Sequence, residues 1–180
     1  MLRFHEIPQF TPTGSYVVNM GMEFLVKQVD EWIRNEGLKM NPEFQRGHVW
    51  TEAQQRKFIE FILRGGRSGR DLFFNAPWWH RPVPAGSYDE FVCVDGLQRI
   101  TAIRRFLADE IPVFGQTYSD FGDRTDIVRH SMTVHVNDLK TESEVLRWYI
   151  EMNEGGTPHS DAEIRRVRNM LETLERKETE

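Results

Sequence analysis

The stretch Phe91-Val92-Cys93-Val94-Asp95-Gly96-Leu97-Gln98-Arg99-Ile100-Thr101-Ala102 runs from four apolar residues through Asp-Gly into a helical pattern. An apolar run closed by a turn signal predicts a short buried strand over 91–94, and the periodicity after Gly96 predicts a helix over about 98–108. Such a unit aims the free N–H groups of the helix start at one point beyond the strand, with partial positive charge, which suits a phosphate. Arg99 in the first turn adds a guanidinium able to fork onto phosphate oxygens. Asp95 has two readings. As a helix cap it stabilises by about 1 kcal/mol and needs no further role. As a functional group it orients a Mg²⁺-bound water or accepts a proton from an attacking hydroxyl. Gly96 is expected at a positive φ or a close backbone approach. Cys93, within the apolar run, reads as a buried small hydrophobe.

Upstream, Asn41-Pro42-Glu43-Phe44-Gln45-Arg46-Gly47-His48-Val49-Trp50 leads into a second helix start. Thr51 and Gln54 have the spacing of a capping box, and Trp50 stands where a hydrophobic staple would. The helix carries Phe58, Ile59 and Ile62 and closes at Gly65-Gly66. Gln45 and Arg46 therefore precede another set of first-turn N–H groups. His48 titrates near neutrality in its ordinary state, but a lone histidine is as readily structural. Arg67 and Arg70, around the glycine-rich turn, are candidate phosphate or DNA contacts, although a helix cap followed by a turn explains that composition too. Trp78 and Trp79, in a Pro- and Gly-rich loop over 76–88, are expected to be partly exposed and are candidates for base stacking or DNA contact.

Elsewhere, Met22, Leu25, Val29, Trp32 and Ile33 predict a helix over 22–35 that Gly37 stops. Residues 38–42, 72–74, 111–114 and 132–136 read as strands or extended pieces, and 142–152 as a helix. After a break over 153–158, Ser160 and Glu163 open a final helix. The expected fold class is α+β. An extended or irregular lead-in over 1–21 precedes one domain over 22–165, and a charged helical tail follows over 166–180, its last dozen residues expected to fray.

Composition sets the outer limits. A length of 180 residues suits one domain able to bury a core. A net charge of −5 argues against a general polyanion binder, so any phosphate must meet local arginines. A single cysteine excludes an internal disulfide and CxxC zinc sites and fits a reducing compartment. With no span of about 20 apolar residues and no apolar signal core, no membrane partner is expected and a cytoplasmic location is, host cytoplasm if the protein is viral. The chain has no GxxxxGK[ST] loop, HExxH motif or GxSxG elbow.

The order Pro-x-Phe-Gln-Arg-x-x-Val-Trp, amphipathic helix, buried strand, Asp-Gly-x-Gln-Arg, then Asn-x-x-Gly-Thr-Pro resembles one family. It is the DGQQR-motif domain of the ParB/sulfiredoxin-like superfamily, which opens the GmrSD-type modification-dependent restriction enzymes. The matching residues are Pro42, Phe44, Gln45, Arg46, Val49 and Trp50, then Asp95, Gly96, Gln98, Arg99 and Ala102, then Asn153, Gly156, Thr157 and Pro158. The resemblance implies a small mixed sheet with flanking helices and a bound NTP with Mg²⁺. Gln45, Arg46, Gly96, Arg99 and Asn153 would bind the nucleotide or its phosphates. Asp95, Gln98 and Arg99 would be catalytic, with Asp95 also the candidate Mg²⁺ ligand. Leu97 departs from the family pattern, and the HNH-type nuclease domain of the restriction enzymes is not in this sequence, so DNA cleavage is not carried over. The size resembles standalone, phage-encoded members.

The leading expectation is a phosphotransfer domain linked to DNA modification or restriction, either hydrolysing an NTP or passing a phosphoryl group to a hydroxyl. An alternative is a DNA kinase acting on a hydroxymethylated base in phage DNA. Two rivals need no chemistry: a nucleotide-free DNA-binding adaptor, and a decoy that binds a host protein. Expected partners are a nucleotide and DNA, with a partner protein or a second copy of the chain also open.

Overall fold

The structure is a computed structural model that describes residues 3–45, 47, 49–79, 81–123, 127, 129–154 and 161–179. Four strands, β1 (Tyr16–Gly21), β2 (Asp71–Asn75), β3 (Val92–Asp95) and β4 (Ser131–Asn137), form one mixed sheet in the order β1-β4-β2-β3. β1 is antiparallel to β4, β4 parallel to β2, and β2 antiparallel to β3. With its helices this makes an α+β protein.

Side-chain alternation explains the layers. Met132, Val134 and Val136 of β4, with Leu72 and Phe74 of β2, face a core completed by α1 (Met22–Asn35), α2 (Glu52–Leu63) and α3 (Leu97–Leu107). On the opposite face, Val92 and Val94 of β3 meet α4 (Glu142–Glu154) and α5 (Asp161–Thr179). β3 is thus buried on both faces, which is why it reads as a continuous apolar run. Trp148 of α4, 1% exposed, sets its ring edge on Phe73 at 6.0 Å. Truncating such a residue to alanine costs about 3–5 kcal/mol, so it is a main anchor of the α4–α5 layer.

Several expectations need correction. Within the lead-in over 1–21, Tyr16–Gly21 is extended and, beyond what was expected, pairs along β4 as the edge of the sheet. Residues 111–114 do not form a strand. Val113 pairs only with Gln116 across a two-residue turn in which Phe114 and Gly115 both take positive φ. The C-terminal segment is helical as expected, but it is packed rather than frayed as far as Glu175. Ile164, Val167, Leu171 and Leu174 recur at helical spacing and pack on α4, and Arg147 pairs with Glu175 at 2.7 Å. The expected cap of Ser160 and Glu163 lies outside the described residues. The Thr51–Gln54 capping box is present. Trp50, however, packs on Phe58 at 5.5 Å, because Gln55 holds the staple position and donates its amide N–H to the Trp50 carbonyl at 3.1 Å.

Candidate functional site

The β3–Gly96–α3 unit supplies the site. β2 and β3 slip register between Phe73 and Phe74, so Asp95 lies opposite Phe73 while Cys93 lies opposite Phe74. Strict alternation would send Asp95 to the same face as Cys93, which is fully buried in the core. The bulge re-aims the carboxylate, and the Asp95 side chain is left 43% exposed. Gly96 follows at φ +156 and ψ −14 and caps α3 with no side-chain hydrogen bond. A Cβ there would meet Leu72 Cδ2 at 3.1 Å, so both backbone conformation and space select glycine. Asp95 is therefore not the cap, and the capping explanation for this aspartate falls.

Arg99 reaches back one turn and places Nη2 2.6 Å from Asp95 Oδ2. The approach is off the hydrogen-bond direction, and the buried Nη2 has no aligned acceptor among the described residues. A buried guanidinium N–H without an acceptor is uncommon, and an anion at the start of α3 would satisfy it. Burial pushes the Cys93 thiol well up from its ordinary range, helped by the Asp95 charge. This cysteine is no nucleophile at neutral pH.

The two sequence constellations are braced against each other. Gln45 donates its amide N–H groups to the carbonyls of Cys93 and, at 2.7 Å, Val94. Gln98 accepts from Val49 N and Trp50 N, both at 3.0 Å, and donates to Gly47 O at 2.9 Å. Gln45 thus ties the loop to β3, and Gln98 ties the start of α3 to the loop. Lys39 extends the seam, with its N–H on Phe91 O at 2.9 Å and its carbonyl accepting from Cys93 N at 3.0 Å. Arg46 and His48 lie outside the described residues. Arg166 of α5 completes the brace, donating to Glu43 O at 3.0 Å and Phe44 O at 2.9 Å. Its charge alone does not single out Arg166 in the sequence. The signal was present in the apolar spacing of Ile164, Val167 and Leu171, which docks that helix face.

Other candidates are placed elsewhere. Asn153 donates its amide to Tyr149 O at 2.6 Å within α4, and Tyr149 packs on Phe44 at 5.2 Å, so Asn153 backs the loop indirectly. Gly156, Thr157 and Pro158 lie outside the described residues. Trp78 and Trp79 follow β2 and sit at the end of β3 away from Asp95. Trp78 is half-buried, donating to Tyr88 O at 2.8 Å with Lys140 Nζ 4.5 Å over its ring. Trp79 packs with Trp32 at 5.7 Å and Phe91 at 5.8 Å. Arg70 spends its guanidinium on the carbonyls of Gly66, Ser131 and Ile62, and burial lowers its pKa. Arg67 is exposed.

A polar cavity of about 570 Å³ beside the loop is lined by Glu43, Glu90 and Glu142 around Lys39. Its acidic lining disfavours phosphate. Among the described residues no group of three or more His, Cys, Asp or Glu is placed to hold a metal. No described helix is long and apolar enough to cross a membrane.

Residues 29–130, more than half of the chain, match the sequence model of the GmrSD restriction endonuclease N-terminal domain. The matched segment contains both braced stretches, whereas α4 and α5 lie beyond it. No curated protein and no solved structure matches the chain.

Proposed function

Because the chain belongs to the family of the GmrSD restriction endonuclease N-terminal domain, we propose that it is a nucleotide-binding phosphotransfer domain of a DNA restriction or modification system. One observation carries the reading: an Asp95–Arg99 pair stands at a helix start without a side-chain cap, with a second motif loop braced across it. Arg99 binds phosphate and spreads the charge that develops on it, with Arg46 as the second clamp. A hydroxyl, from water or from an acceptor, attacks the terminal phosphorus. The bond to the bridging oxygen breaks, the nucleoside diphosphate leaves, and Asp95 takes the proton of the attacking group. Bound Mg²⁺, held by the Asp95 carboxylate, would neutralise charge on the phosphate oxygens. The residues fit it, since Mg²⁺ commonly takes one or two carboxylates with phosphates and waters, and Asp95 is half-exposed. Gln45 and Gln98 act as positioning residues, which revises the direct roles that the motif suggested for them.

A panel of NTPs with Mg²⁺ in a thermal-shift assay tests the reading. At a hundredfold excess over Kd, binding stabilises by about 2.7 kcal/mol, or about 5–10 °C for a chain of this size. Arg99→Ala should sharply reduce the shift and its dependence on the terminal phosphate. Phosphate release without an acceptor identifies hydrolysis, and label incorporated into hydroxymethylated DNA identifies transfer. Failure of every NTP to shift the folded wild-type protein overturns the proposal.

A further inference from the structure

At the end of α3 away from Asp95, a cavity of about 260 Å³ lies between Leu63 of α2, Phe106 of α3, and Phe114, Tyr118, Phe121 and Ile127. Three of its rings are fixed in place. Phe106 holds Tyr118 edge-on at 5.5 Å and Phe121 at 6.3 Å, and Tyr118 Oη bonds Glu23 at 2.8 Å. Phe114 is different. It sits at φ +53 in the turn between Val113 and Gln116, a conformation that strains a bulky side chain and suits asparagine or glycine. Its ring is 46% exposed rather than folded into the core, and the Arg64 guanidinium lies 5.1 Å over it. Arg64 itself is exposed and makes no ion pair with any described carboxylate. Asp123 and His130 bring polar groups to an otherwise apolar lining.

Strain at an aromatic residue held beside a cavity points to use rather than packing. We propose that this cavity is a second binding site, distinct from the Asp95–Arg99 site, for a planar nucleobase carrying a phosphate. The base stacks between Phe114 and the fixed rings, its edge meets Asp123 and His130, and the phosphate meets Arg64. Aromatic faces stack on any base, and an apolar pocket with a few polar groups is the usual form of a small-ligand site. Such sites start at about 300 Å³ for drug-sized ligands, so this volume admits one base and not a dinucleotide. At about 1.5 Å per residue, α3 separates the cavity from Asp95 by about 15 Å, so one nucleotide does not fill both sites. A free nucleotide and an unpaired base of a DNA strand carry the same recognised groups.

Two fluorescent probes separate these sources on the full chain: 2-aminopurine riboside monophosphate, and a single-stranded oligonucleotide containing one 2-aminopurine. Saturable emission change with the oligonucleotide alone assigns a strand base; change with both assigns the nucleotide unit itself. Phe114→Asn should weaken binding by about tenfold or more, with Tm unchanged or raised because asparagine accepts the positive φ. Arg64→Gln should weaken binding and flatten its salt dependence. Whether or not the phosphotransfer reading holds, Arg99→Ala should retain a component of binding that Phe114→Asn removes. The proposal is overturned if neither probe binds at millimolar concentration, or if Phe114→Asn leaves binding unchanged in the Arg99→Ala background.

Discussion

Replacing Gln98 by alanine distinguishes a residue that braces the site from one that acts on the nucleotide. The side chain makes three hydrogen bonds to the loop, accepting from Val49 N and Trp50 N at 3.0 Å and donating to Gly47 O at 2.9 Å. Each is worth about 0.5–1.5 kcal/mol net. The Val49 bond is exposed and belongs at the low end; the other two are part-buried. The expected loss is about 2–3 kcal/mol, a drop in Tm of about 4–12 °C. Gln98→Glu keeps the two acceptor bonds but faces the Gly47 carbonyl with a carboxylate oxygen, so it should be intermediate in stability. It should also weaken nucleotide binding, by adding negative charge beside the phosphate site. Urea denaturation with parallel NTP titration reads both effects. If Gln98→Ala leaves the urea midpoint unchanged yet abolishes phosphate release, Gln98 acts on the nucleotide or the attacking group and the bracing account is wrong.

Gly96→Ala should destabilise the fold by about 1–3 kcal/mol through its φ of +156 alone, with Leu72 forced to move as well; a near-native Tm would refute the conformation assigned to this turn. Cys93 should resist Ellman's reagent in the native protein even at pH 8–9 and react fully in guanidinium, since it is buried with a raised pKa; rapid native labelling would contradict its placement. Burial, with Glu90 and Glu43 close by, raises the pKa of the Glu142 carboxyl above 4.5. Folding therefore favours its protonated form, and its contribution is full below the ordinary pKa and lost as pH rises through the raised one. Glu142→Gln should accordingly raise Tm near pH 7 and lose that gain by about pH 4, and a gain that grows on acidification would reverse the sign.

The β3–Gly96–α3 unit was legible because each part leaves a local mark. Burial on both faces writes Phe91–Val94 as an apolar run, and the backbone at residue 96 admits little besides glycine. β1 left a weaker mark. It is an edge strand with Tyr16 and Val17 half-exposed, and its partner β4 is remote in sequence. The motif glutamines were visible as candidates, but their bonds span the fold, Gln45 to Val94 and Gln98 to Trp50, and no spacing rule reveals them. Trp78 and Trp79 were expected to be partly exposed from their Pro-rich context, and both are. Composition does not show that the loop folds back, so that Trp79 joins Trp32 and Phe91. Arg70 looked like a phosphate contact because its charge is written in the sequence, whereas the carbonyls of Ile62, Gly66 and Ser131 that absorb it are not.

The central claim, that Asp95 works chemically at the start of α3, is tested most directly by phosphate release from Asp95→Asn under saturating NTP and Mg²⁺. Gly96, not Asp95, is the cap. The Asp95–Arg99 pair is also half-exposed on the aspartate side, so its loss should change stability by no more than about 1 kcal/mol. The account predicts a folded variant with nucleotide affinity largely retained and turnover lower by about 10²–10⁴-fold, the range for a positioned proton acceptor. If Mg²⁺ no longer strengthens nucleotide binding in the variant, the carboxylate serves as its ligand instead. Full wild-type turnover by Asp95→Asn would contradict the claim.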